Sequence, residues 1–215
     1  MAGKQSGGGG NRPGPRGYRM SKRAQDVAAT RQEIIQAAVR LHGSVGPAAT
    51  TVSAVAAEAG VTRLTVYRHF PDGDALFAAC SAHWAAGQRL PDVTAWSRVA
   101  DPVERLRLGL GDLYRFYGEG EPMLTRVRRD RDALPADLRE RTAATEAAQR
   151  DTLLAAFGVR GARRRRLQAV LGHAVSFWTW RSLCVDEGLS QREAVQVMTD
   201  LALATAGSGA EGRRA

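Results

Sequence analysis

The chain has 215 residues, 44% hydrophobic and 25% charged, with a formal net charge of +9. That apolar content suffices for a sizeable core and excludes wholesale disorder. No run approaches the ~18 apolar residues of a membrane span and the glycine-rich start lacks a signal peptide's apolar stretch, so a cytoplasmic protein with no membrane partner is expected.

Residues 1–23 hold Lys4, Arg12, Arg16, Arg19, Lys22 and Arg23 and no acid, so six of the nine net charges lie there. Rich in glycine and proline, this stretch cannot bury apolar surface and is expected to be a disordered basic arm, either a solvated tail or a neutraliser of phosphates. From Thr30 the spacing turns helical, with Ile34, Ala38, Leu41 and Val45 on one line. Thr30-x-x-Glu33 reads as a capping box opening a first helix that ends before Gly46. Thr51 is the N-cap of a short second helix with Val52, Val55, Ala56 and Ala59 on one face, and Gly60 ends it by taking positive φ. Thr62 caps a third helix running to about Phe70, with Val66 and Phe70 turned inward. Pro71 and Asp72 restart a fourth through Leu76, Phe77 and Trp84.

Beyond residue 90 the pattern predicts helices at about 102–117, 121–132, 136–157, 162–186 and 190–206, separated by Pro91, Gly118, Pro135, Gly158 and Gly188. The whole reads as an all-α chain of about nine helices. The 162–186 helix is apolar on several sides and the last has a broad apolar face, so a second subunit covers part of them, or they complete the core of one subunit. The arginines at 126, 128, 129 and 131, interleaved with Asp130 and Asp132, and those at 163–166 read more simply as solvated faces than as a second anion site.

Two short helices flanking a three-residue turn at Gly60, behind a longer helix, form the pattern of a helix-turn-helix, which lays its second helix in a DNA major groove. The expected organisation is a basic arm at 1–23, a DNA-binding domain at 24–76, a second helical domain at 77–206, and a disordered tail at 207–215. Arg63, Leu64 and Thr65 fall in the turn that enters the groove first. Arg63 can fork onto a guanine edge, Leu64 can pack on a thymine methyl, and Thr65 can hydrogen-bond a base or phosphate. An enzyme is not expected: the four histidines lack an HExxH spacing, no GxSxG elbow exists, and Gly109-Leu-Gly111 lies in an apolar helix rather than a phosphate loop. Cys80 and Cys184 stand in no ligand spacing, so they are expected to be buried thiols, with no metal or cofactor.

Taken together, Thr51-Val52, Val55-Ala56, Ala59-Gly60-Val61-Thr62 and Thr65-Val66-Tyr67-Arg68-His69-Phe70, followed by Leu76, resemble the TetR/AcrR family of one-component transcriptional regulators. The resemblance is concentrated in residues 31–80. It implies that Tyr67 and His69 bind phosphates, that Ser53 approaches a base edge, and that Thr51 and Thr62 add phosphate contacts beside capping. It also implies that residues 77–206 form an effector-binding and dimerisation domain, and that the protein is a dimer, here through the last two long helices, that represses from a palindromic duplex operator and is released by a small-molecule effector. The aromatic and adaptable residues available for an effector pocket are Trp96, Tyr114, Tyr117, Met123, Phe177, Trp178 and Trp180, with His173 as a polar handle. A C-terminal core with no cavity would instead favour control by a partner protein or by abundance.

Where many members of that family carry a lysine at the start of the fourth helix, this chain has Gly73 between Asp72 and Asp74. Residues 24–76 hold four arginines against five acids, a net of −1, so the basic arm is expected to supply phosphate affinity that the domain lacks.

Overall fold

The computed structural model describes the backbone of residues 15–207 and the side chains from residue 22 onward. Among the described residues there are eleven α-helices and no strand. The first is α1 (Pro15–Ser44), which reaches back into the stretch expected to be disordered, so residues 15–23 are helical. Residues 1–14 of that arm and 208–215 of the expected tail lie outside the described residues, whereas Gly207, also expected in the tail, ends the last helix. Thr30 is not a cap: it sits inside α1 and its hydroxyl donates to the Asp26 carbonyl at 3.0 Å. α1 packs through Ile34, Ile35, Ala37 and Ala38, whereas Val45 lies past its end and is exposed.

The next three helices begin as their caps dictate. Thr51 accepts the Ala54 amide and opens α2 (Val52–Glu58), Thr62 accepts the Thr65 amide and opens α3 (Arg63–His69), and Asp72 accepts the Ala75 amide and opens α4 (Gly73–Ala86). Between α2 and α3, Gly60 has φ +66°, the left-handed conformation that disfavours a side chain. Val55, Ala56, Val66, Phe70 and Leu76 close a small core against α1. α4 crosses residue 76 without a break, and Phe77 and Cys80 belong to this same core.

The second layer comprises α5 (Val93–Ser97), α6 (Pro102–Glu119), α7 (Glu121–Arg129), α8 (Ala136–Leu154), α9 (Gly161–Ala174), α10 (Phe177–Arg181) and α11 (Gln191–Gly207). The short α5 was not anticipated. It seats Trp96 wholly in the core, with Nε1 donating to Asp112 at 3.1 Å. Trp96 fits because residue 109 on α6 is glycine: a Cβ there would lie 3.2 Å from the indole and 2.6 Å from Leu153. Arg105, also buried, donates to the carbonyls of Ser97, Val99 and Thr152 at 3.1, 2.6 and 3.0 Å, tying the ends of α5 and α8 to α6.

The long helix expected at 162–186 is broken. α9 stops at Ala174, Ser176 caps α10, and a π-helical turn follows over Ser182–Asp186. The break leaves carbonyls at the end of α9 in need of donors. Two buried tyrosines of α6 supply them: Tyr114 donates to Ala174 O at 3.0 Å and Tyr117 to Val175 O at 2.7 Å. Burial raises both phenol pKa values, that of Tyr117 to about 12, so both hydroxyls keep the proton they donate.

Candidate nucleic-acid interface and ligand cavity

α3 is pinned from behind by Val66 and Phe70, each almost fully buried, and its other face stands clear of the protein. Arg63, Leu64, Tyr67 and Arg68 are exposed, His69 half-buried. Leu64, at 68% exposure, is far too open to be a core residue, and Tyr67 at 45% is not one either. Thr65 is half-buried, its hydroxyl 2.9 Å from that of Thr62. Ser53 and Thr51 are exposed at the start of α2. The helix carries two arginines and no acid; Glu58 on α2 is already paired with Arg40 at 2.7 Å. An exposed guanidinium, an aliphatic tip and a phenol projecting from one rigid helix can meet base edges and phosphate oxygens together.

At the other end of this domain, α7 holds the loop that leads from α1 into α2. Arg126 Nε donates to the Ser44 carbonyl at 2.6 Å, Arg129 Nη2 to Val45 O at 2.9 Å, and Ala48 N donates to Asp130 Oδ2 at 3.1 Å. Gly46 lies in this grip with φ +96°, and a Cβ there would fall 2.3 Å from Asp130 Oδ2. The two arginines thus cap the C-terminal carbonyls of α1, where a cation also suits the helix dipole. Of the arginine run read in sequence as a solvated face, Arg126 and Arg129 form the joint between α7 and the end of α1.

Beside the joint lies a cavity of about 510 Å³ walled by both domains: Val39 and His42 from α1, Phe77, Cys80 and Trp84 from α4, and residues of α6, α7, α8 and the α9–α10 break. Of the residues expected to line an effector pocket, Met123 and Trp178 border it. Trp96, Tyr114, Tyr117, Phe177 and Trp180 pack in the C-terminal core instead, and His173 meets the Thr179 hydroxyl at 3.2 Å. Burial drives the His42 pKa down to about 4 and that of Cys80, whose Sγ is 3.4 Å away, up to about 12. Both line the cavity in neutral form at pH 7. Sequence reasoning missed Phe77, Trp84 and Phe116 as lining residues because their spacing reads equally as core. It missed Arg128, Arg131 and Arg139 because charge alone does not say which face is enclosed.

Among the described residues, an exposed helix that follows a tight turn and is backed by α1 has the geometry of a helix-turn-helix. The family model for bacterial regulatory proteins of the tetR family matches residues 34–80. Over 57 residues the chain is 40% identical to the HTH-type transcriptional regulator AcrR of Shigella flexneri, and it spans about a quarter of that relative's length, 26%. The fold is that of solved regulators. A TetR-family regulator, PfmR, from Thermus thermophilus matches at 22% identity with a TM-score of 0.56, over 79% of this chain and 96% of that one. A TetR-like regulator from Rhodococcus sp. RHA1 matches at 20% identity with a TM-score of 0.60, over 82% and 95%. Residues 34–80 thus match the N-terminal domain of the tetR family of bacterial regulatory proteins.

Proposed function

We propose that this protein is a cytoplasmic, dimeric, sequence-specific repressor that leaves a palindromic operator when a small molecule fills the cavity between its domains. The observation that carries the DNA reading is the exposed face of α3, where Leu64 has no structural use for its 68% exposure. In this reading Arg63, Leu64 and Thr65 contact bases, with Ser53 at the edge of the site. Tyr67, His69, Thr51 and Thr62 bind phosphates and set the register. A second subunit fits the uncovered apolar residues Val197 and Leu201 of α11, one turn apart and 46% exposed each. Two recognition helices about 34 to 36 Å apart then reach successive major grooves.

Release is a coupling free energy between cavity and groove, so the ligand must favour one spacing of the recognition helices over the other. α7 is suited to carry that coupling: Met123, Leu124, Val127 and Arg128 border the cavity while Arg126 and Arg129 hold the end of α1. The cavity itself favours a ligand-controlled regulator over one governed by a partner or by abundance. The test is competition between a labelled duplex from upstream of the protein's own gene and a scrambled duplex near 0.15 M salt. A preference of ~10³-fold or more with two subunits per site is expected, and equal binding would refute specific regulation at that site.

A further inference from the structure

The cavity is apolar along most of its wall, and its charged lining residues other than His42 all come from α7, α8 and the turn between them. Trp84, Phe116, Phe77 and Trp178 supply aromatic surface from three different elements, and Trp84 and Phe116 already pack with ring centroids 6.0 Å apart. Offset or edge contacts with a further ring suit such a wall. At the α7–α8 end the lining holds three guanidinium groups, of Arg128, Arg131 and Arg139, against one carboxylate, of Glu146. That carboxylate is taken: Arg128 pairs with it while lying over the Tyr117 and Phe177 rings, its guanidinium carbon 5.9 and 5.5 Å from their centroids. Arg139 is held by Nη1 donating to the carbonyls of Leu134 at 2.8 Å and Asp132 at 3.4 Å, so it is positioned yet has no ion-pair partner among the described residues. Arg131, an exposed residue at the rim of the lining, forms no ion pair among the described residues. His42, the remaining titratable cation in the lining, is neutral at pH 7 and adds no charge.

Two arginines on the α7–α8 side of a cavity otherwise suited to flat apolar matter are therefore left without an ion-pair partner among the described residues. We propose that the effector is an aromatic monocarboxylate whose ring system lies among Trp84, Phe116 and Trp178 and whose carboxylate is bound by Arg139 and Arg131. A planar carboxylate accepts paired N–H donors from guanidinium groups, and such charge-assisted bonds strengthen where water is partly excluded. A ligand cation is the opposed chemistry, since aromatic walls also attract cations. It is disfavoured because the sole lining carboxylate is already paired with Arg128 and the residual charge is positive. The inference rests on the proposed reading of this cavity as the effector site, and it adds the chemical class.

The test is calorimetric titration of the full-length protein with three probes of one shape: 4-phenylbenzoate, its neutral amide, and 4-phenylbenzylamine, which is a cation at pH 7. The carboxylate is expected to bind at least ~10-fold more tightly than the other two. The variant Arg131→Gln/Arg139→Gln is expected to keep the wild-type melting temperature within a few degrees while losing that preference. Binding of all three alike, or preference for the amine, would overturn the charge assignment while leaving the cavity as the ligand site. Absence of binding by every probe, with no release of bound DNA, would overturn the cavity reading together with the proposal.

Discussion

The carboxylate of Asp130, just past the end of α7, accepts the backbone amide of Ala48 at 3.1 Å in the turn that feeds the helix-turn-helix. The two lie 82 residues apart in the chain, yet this bond and the neighbouring arginine caps fix how the DNA-binding domain leans on the rest of the molecule. Asp130 is itself held by Arg129 at 2.7 Å, which keeps its carboxyl below the usual carboxylate range. Asp130→Ala is expected to lower affinity for specific DNA by ~5-fold or more, the lower end of ordinary coupling, and to blunt release by ligand. Fluorescence anisotropy with and without ligand measures both. Unchanged affinity and unchanged release would show that the joint transmits nothing.

His42 predicts a pH dependence of stability. Its folded-state pKa is lowered to about 4 by burial, whereas the unfolded chain protonates near the ordinary value of 6.5. Stability from the neutral ring is therefore complete above pH 6.5 and is lost as pH falls from 6.5 towards 4, where the unfolded state takes up a proton first. The loss is on the order of 2 to 3 kcal/mol across that window. Urea unfolding at about pH 7.5, 6 and 4.5 measures it, and His42→Gln is expected to flatten this part of the profile.

Much of the N-terminal domain was legible because short polar side chains announce helix starts. Thr51, Thr62 and Asp72 each cap the helix they were expected to open, and Gly60 takes the positive φ its place in the turn requires. The break at Val175 was not legible, since no glycine or proline marks it and its open carbonyls are satisfied by tyrosines 58 to 60 residues away. For the same reason Tyr114 and Tyr117 looked like cavity aromatics and are caps. α5 was hidden by its five-residue length, too short to show a period. The cavity escaped because its wall is assembled from residues between Val39 and Trp178, and a local pattern cannot tell an enclosed face from a packed one.

Gly73 begins α4 with open space around it: a Cβ built there meets nothing within 4 Å. Gly73→Lys is expected to fold normally and to bind DNA more tightly. If the ammonium neutralises one more phosphate per subunit, the salt dependence of log K steepens by ~0.9 for each. Neutralising Arg16, Arg19, Lys22 and Arg23 to glutamine is expected to shift it the other way. Titrations from about 50 to 200 mM salt distinguish these outcomes from no electrostatic role at either place.

Arg105 contributes to stability rather than to recognition. The buried guanidinium satisfies three partly buried carbonyls at once, so Arg105→Ala is expected to cost ~2 kcal/mol or more. Lysine cannot reproduce the planar fork and should rescue only a minor part of the loss. Denaturant midpoints of the two variants provide the comparison.

The most direct test of the central claim, that the exposed face of α3 reads DNA sequence, is to bind wild-type protein and Arg63→Ala to duplexes substituted one base pair at a time across the protected site. The predicted result is a loss of ~1 to 3 kcal/mol for the variant on the native site, with discrimination abolished at one base-pair position in each half-site and kept elsewhere. An equal loss on every duplex, or no loss on any, would contradict it.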